Sequence, residues 1–211
     1  MFDSSRRNDS RTPAATPRAA GTPSDGSATR FPLVERFPAL GGVPRLALGT
    51  YPTPVVPVTL PGAHAALWIK RDACNAIGLG DSACAGGNKL RALEFLLAPV
   101  RAGDTVIAVG GEGSTHVLAT VALARRCGAR TLAIRWPHDM NPVARRVAAH
   151  AAALADEVRT TRTALGALLA ARRAARAPHT HGLPAGGTSA LGMLGAVNAA
   201  LELAAQIAAG A

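Results

Sequence analysis

Thr105-Val106-Ile107-Ala108-Val109 narrows the folds open to this chain more than any other stretch. Its apolar residues run on without polar alternation, so a strand here must be covered on both faces, as in a parallel sheet flanked by helices. The sequence that follows keeps to that plan. Gly110 to Gly113 turn the chain, and Ser114 opens a helix through Val117, Leu118, Val121 and Ala124. Thr131 to Trp136 reads as the next strand, and Asn141-Pro142 as a cap residue followed by proline at the first helical position. Glu157 to Thr160 predicts a short strand, and Thr163 to Arg176 a helix. Leu183-Pro184-Ala185-Gly186-Gly187-Thr188-Ser189 is a second glycine-rich turn, leading into a helix that reaches about Ile207. Strand and helix alternating at this spacing predict an α/β fold with a parallel sheet.

The segment upstream is less regular. Residues 1–30 are Ser, Thr, Pro, Ala, Gly, Arg and Asp with almost no large apolar side chain, which predicts a disordered tail. Tyr51 to Val58 is proline-punctuated and extended, suited to an edge. Leu67 to Asp72 predicts a short strand ending in charge, and Ile77 to Gly87 a loop. Asn88 is a natural cap for the helix after it. Leu90, Leu93, Phe95, Leu96 and Leu97 form the apolar face of that helix, with Arg91 and Glu94 on the wet side.

Composition excludes several functions. The net charge of +10 suggests an anionic partner, but the arginines are scattered and aromatics are only 3%, with no basic stripe that would stack on bases. Nucleic-acid binding is therefore not expected. No apolar run is long enough to predict a membrane span, and no apolar leader is visible at the N-terminus. Cys74, Cys84 and Cys127 are odd in number and have no C-x-x-C spacing, which reads as reduced cytoplasmic thiols without a metal site.

Lys89 stands out chemically. It is one of only two lysines, against twenty-one arginines, and arginine cannot serve as an amine nucleophile. It sits where Gly86-Gly87 meets a helix start, beside backbone N–H donors that favour a neutral amine and attract an anion. This fits a lysine that forms a Schiff base with an aldehyde cofactor, and equally an ordinary surface lysine in a first turn. The Gly110 turn lies between strand and helix, where α/β folds place ligands. It lacks a dinucleotide fingerprint, since His116 stands where glycine is needed, and Lys89 follows Asn88 where a Walker loop needs glycine. Ser114 and His116, two residues apart on a helix, do not make a hydrolase dyad.

Three blocks together resemble the fold-type II pyridoxal-phosphate enzymes of the tryptophan synthase β-like superfamily, in the D-cysteine desulfhydrase and 1-aminocyclopropane-1-carboxylate (ACC) deaminase branch. They are Lys70-Arg71-Asp72 with Gly86-Gly87-Asn88-Lys89-x-Arg91-x-Leu93-Glu94, then Gly110-Gly111-x-x-Ser114-x-His116, then Pro184 to Ser189 with Leu191-Gly192. The resemblance implies pyridoxal 5'-phosphate held on Lys89, with Asn88 setting the lysine loop. It also implies a small amino-acid substrate whose carboxylate meets Gly113, Ser114, Thr115 and His116, with Ser114 as a proton-transfer or positioning hydroxyl. Thr115 occupies the place of a cofactor-binding asparagine in the family, Gly113 that of a glutamine, and Ala196 that of an aromatic residue. Glu112 adds a negative charge beside the anion pocket.

The expected architecture is two α/β domains of parallel sheets with flanking helices. Residues 31–99 and 184–211 would belong to a larger, incomplete domain and residues 100–183 to a smaller one. Family members continue further, with a phosphate-cradling loop and catalytic tyrosines that this chain lacks. The family is cytoplasmic and commonly homodimeric. Two alternatives stay open: a non-catalytic remnant or partner subunit of the same fold, and a nucleotide-binding α/β protein using the Gly110 turn.

Overall fold

The computed structural model describes residues 31–62, 67–76, 79 and 86–210. The tail over 1–30, most of the 77–85 stretch, and with it Cys84 and Ala85, lie outside the described residues. A short helix α1 (Pro32–Arg36) and a two-stranded antiparallel ribbon, β1 (Val55–Val58) and β2 (Leu67–Lys70), precede helix α2 (Asn88–Leu96). The alternating part then runs β3 (Thr105–Gly111), α3 (Thr115–Arg126), β4 (Arg130–Trp136), α4 (Pro142–Leu154), β5 (Glu157–Thr160), α5 (Ala164–Ala174), β6 (Thr180–Gly182) and α6 (Ala190–Ala208).

Strands β5, β4, β3 and β6 form one parallel sheet in that order. The Thr105 run is buried on both faces as its composition requires. Ala108 and Ala133 pack under α3 and α4, while Ile107, Val109, Leu132 and Ile134 pack under α5. The helix starts come from local side chains. Ser114 caps α3, Asn141 caps α4 with Pro142 behind it, and Thr163 caps α5, accepting from Gly166 N at 3.1 Å. Strand β6 was not expected, because Thr180-His181-Gly182 has no apolar run. It forms by pairing with Thr105 to Ile107 at the centre of the sheet.

The chain therefore steps β3, β4, β5 in one direction and returns with β6 to the opposite side of β3. The order reverses at β3, and ligand crevices in such sheets open at the carboxyl ends of the strands flanking that point. The Ser114 loop leaves β3 there, and the Pro184–Ser189 turn leaves β6 beside it.

Three local expectations are corrected. Asn88 is the first residue of α2 and caps nothing; Gly87 is the cap residue, at φ 116°. Arg91 and Glu94 are not on a wet face, being 3% and 2% exposed. Helix α6 packs over that side of α2 and supplies a carboxylate partner, Glu202, which the periodicity of α2 alone could not reveal. Lastly, α6 is by length and composition apolar enough to count as a candidate membrane span, at a mean hydropathy of 1.4. Yet Glu202 on this helix ion-pairs with Arg91 and Lys70, which ties it to α2 and β2.

Candidate functional site

The Lys89 amine is positioned from its N-terminal side by a clamp on Gly87. Fully buried Asn75 donates to the Gly87 carbonyl at 2.9 Å and accepts from Gly87 N at 3.0 Å, and the Asp72 carbonyl also faces Gly87 N at 3.1 Å. Only glycine adopts φ 116° at little cost, so glycine at 87 is a backbone requirement. Asn75 is a site-building residue that no motif flagged, since a lone Asn in a loop has no signature of its own.

Lys89 opens into a cleft of about 230 Å³ whose walls include Asn88, Ala92, Gly186, Thr188, Met193 and Ala196. Its Nζ reaches the Gly186 carbonyl at 3.4 Å, a long contact that leaves most of the amine's donor capacity unused. Lys70 is the opposite case. Its Nζ donates to Glu202 at 2.7 Å, Gln206 at 2.7 Å and the Thr53 carbonyl at 3.1 Å, which saturates an ammonium. Of the two lysines only Lys89 is free to react.

One wall of the cleft is formed by Asp72 and Arg91, part of a largely buried ionic network. Arg91 grips Asp72 with Nε at 2.8 Å and Nη2 at 2.7 Å, and reaches Glu202 with Nη1 at 2.9 Å. Burial works against charge on Asp72 and Glu202, but hydrogen bonds from Arg91, Thr53 and Lys70 outweigh it and hold both carboxyls below their usual range. Glu94 differs: burial pushes it up, against Arg45 and the N–H groups of Leu48 and Gly49.

The other site residues named from sequence lie at the carboxyl end of β3. Gly113 has φ 81°, and a Cβ there would come within 2.8 Å of the Ala144 side chain, so no glutamine fits in this backbone. The Ser114 hydroxyl accepts from Val117 N at 3.4 Å as the cap of α3. Thr115 is exposed, and its N–H and that of His116, the first two of α3, have no intrahelical acceptor. Glu112 pairs with Arg135 at 3.1 Å, which offsets its charge. Gly113, Ser114 and Thr115 do not line the Lys89 cleft; Lys89 and Asn88 do.

The His116 side chain is 2% exposed, and neither ring nitrogen has a hydrogen-bond partner among the described residues. Burial first, and then the charge of Lys89, pull it down to about 4; the Pro184 backbone opposes this. The sign of the linkage follows. The unfolded chain takes up this proton near pH 6.5 and the folded chain only near 4, so the stability is fully present above pH 6.5 and is lost as pH falls toward 4. The loss amounts to about 3 kcal/mol at most. Urea midpoints at pH 7, 5.5 and 4.5 should fall steadily, and His116→Leu should flatten that slope.

No family model matches the chain. It is 36% identical over 179 residues to D-cysteine desulfhydrase of Salmonella paratyphi C (strain RKS4594), covering 78% of this chain and 52% of that protein. With D-cysteine desulfhydrase of Klebsiella pneumoniae subsp. pneumoniae it shares 34% over 180 residues, again covering 52% of the relative. The crystal structure of an ACC deaminase homologue superposes with a TM-score of 0.66 at 27% identity, over 81% of this chain and 53% of that one. These likenesses support the fold-type II pyridoxal-phosphate enzyme family. It spans about half the length of the curated relatives it matches.

The residues present fit the aldehyde end of that family's cofactor: one lysine with an unsaturated amine, facing a cleft, and backed by a buried unpartnered imidazole. They fit its phosphate less well. In the turn beside Lys89, Gly187 N already donates to the Pro184 carbonyl at 2.9 Å and Thr188 N lies 3.5 Å from the Ala185 carbonyl. Two of that turn's N–H groups are thereby withheld from an anion.

Proposed function

We propose that this chain carries the lysine half-site of a pyridoxal-phosphate-dependent lyase or deaminase. Its substrate would be a small amino acid, by similarity to D-cysteine desulfhydrase and the ACC deaminase homologue. The observation that supports the reading is the contrast between the two lysines: Lys70 saturated, Lys89 unsaturated in a cleft. Bound at Lys89, the cofactor supplies an electron sink for bonds broken at the amino acid's α-carbon. The chain's own residues bind and move protons. Lys89 Nζ would hold the cofactor's aldehyde end and would give and take protons beside the substrate's α-carbon. Asn75, Gly87 and Asn88 fix where that amine emerges. The free N–H groups of Thr115 and His116 at the start of α3 suit a substrate carboxylate, with Gly113 shaping the loop. Ser114 would be a proton-transfer or positioning hydroxyl, and Thr115, in the place of the family's asparagine, would be the contact to the cofactor. The division into domains at 31–99 with 184–211 and at 100–183, a homodimer and a cytoplasmic location belong to the same reading.

The test is the visible spectrum of the purified chain with added pyridoxal phosphate, followed by borohydride reduction and peptide mapping. A single stable label on Lys89 is expected. Label spread over Lys70 and the N-terminus, or no label, would sink the reading. The engaged N–H groups of Gly187 and Thr188 favour a second reading, a non-catalytic remnant or a partner subunit of the same fold. On that reading the chain folds but leaves Lys89 unlabelled.

A further inference from the structure

His116 is a costly residue to keep where it is. A buried polar group without a partner destabilises a fold by roughly 1–3 kcal/mol, and an aliphatic side chain of similar size would avoid this. The imidazole nevertheless sits in the first turn of α3, directly behind the turn that carries the contact of Lys89. Gly187 has φ 77°, and the position its Cβ would take is 3.3 Å from His116 Cε1, 3.6 Å from Nδ1 and 3.5 Å from Ala92 Cβ. The edge of the ring thus fills the space that a side chain at 187 would need. On the cleft side of the same turn, the Gly186 carbonyl meets Lys89 Nζ. The electrostatic pull of Lys89 on the ring is consistent with this closeness. Among the described residues no hydrogen bond of good geometry fixes the turn from below, and the Pro184 carbonyl has the weakest of the three effects on the ring; contact with the ring edge, 3.3 Å from the Cβ position of Gly187, holds the turn.

We propose that His116 is a positioning residue for Lys89. Its flat, uncharged ring is the floor of the Gly186–Gly187 turn and sets the height at which the Gly186 carbonyl meets the lysine amine. The inference rests on Lys89 being the reactive lysine of the proposed function. It acts through packing, so the thickness of the floor is what matters. A thinner side chain lets the turn sink, a thicker one lifts it, and each moves the amine off its line into the cleft. A displacement of about 1 Å at a reacting group can cost up to about a hundredfold in rate.

The experiment compares borohydride-trapped pyridoxal phosphate on Lys89 in the full chain and in its His116→Ala and His116→Phe variants, at limiting aldehyde, with Lys70 mapped in the same digest. Lys70 is the internal control, because its three partners shield it for as long as the fold is intact. Both variants are expected to label Lys89 about tenfold more slowly while Lys70 stays protected. If one variant exposes Lys70 it has unfolded, and the other decides. Labelling of Lys89 within twofold of the parent chain, in a variant that keeps Lys70 protected, would overturn the role of His116. If the parent chain itself fails to label Lys89, the proposed function fails, and His116 loses its object. The two failures are therefore told apart within one experiment.

Discussion

Replacing Arg91 with methionine is expected to lower the stability of this chain by about 3–5 kcal/mol, because it takes the guanidinium out of a largely buried network, leaving Asp72 to Thr53 alone and Glu202 to Lys70 and Thr53. Among the described residues Arg91 is the cation that bridges Asp72 and Glu202, using a planar fork, and Thr53 joins both carboxylates as a neutral donor. Methionine fills much of its volume, so the loss reports the missing charge and not an empty cavity. Lysine should restore only part, since a point ammonium cannot make the paired contacts to Asp72 and still reach Glu202. Stacking over the Tyr51 ring, 4.5 Å from the guanidinium, is also lost. The pH dependence provides an independent check. Asp72 and Glu202 have folded-state values below their unfolded ones, so their contribution is present above the unfolded carboxyl range near pH 4. It disappears as pH falls through the lowered folded values. The parent chain should therefore lose urea resistance steeply below about pH 4, whereas the Arg91→Met chain should start lower and show a shallower acid limb. An equal acid limb in both would show that the network is not the source.

The same network marks where sequence reading reached its limit. Strands β3 and β4 were legible because an unbroken apolar run has few alternatives to double-sided burial. The caps at Ser114 and Asn141 were legible because capping is local, decided by one side chain and the N–H groups two or three residues on. Lys89 drew attention because it is rare in a chain whose positive charge is nearly all arginine, and the structure opens it to a cleft. Arg91 and Glu94 were misplaced for the converse reason. A charged pair at i,i+3 reads as a wet face unless a partner from elsewhere covers it, and here the partner is Glu202, 111 residues away. Gly87 and Asn75 depend on each other across a loop, so neither carried a signal alone. Strand β6 owes its existence to the edge of β3 that it completes. His116 was named through its motif, but its burial behind Gly187 is a property of two turns meeting at the carboxyl edge of the sheet.

Gly195 should be the least replaceable glycine in α6. It lies in the middle of a 19-residue helix, where alanine would ordinarily gain up to about 1 kcal/mol. Here the gain is overridden, because a Cβ at 195 would overlap the Arg91 carbonyl oxygen and come within 2.9 Å of Ala92 N. Both are backbone atoms of α2, and neither can rotate away. One turn earlier, Gly192 meets the Gly187 carbonyl in the same way, so two glycines on one face let α6 lie directly on α2 and the 185–187 turn. Forcing the helices apart would lengthen the Glu202–Arg91 contact and lift the turn that meets Lys89. Overpacking of this kind costs about 1–3 kcal/mol and occasionally more, and the coupled loss in the ionic network places Gly195→Val at or above the top of that range. In a chain of this length about 3 kcal/mol corresponds to a drop in Tm of roughly 6–12 °C. Gly42→Ala is the matched control: no atom lies within 4 Å of its added Cβ, and its Tm should stay within about 2 °C of the parent. A Gly195→Val chain that melts with the Gly42→Ala chain would mean that α6 does not press on α2. The geometry of the Lys89 cleft, which depends on that contact, would then have to be redrawn.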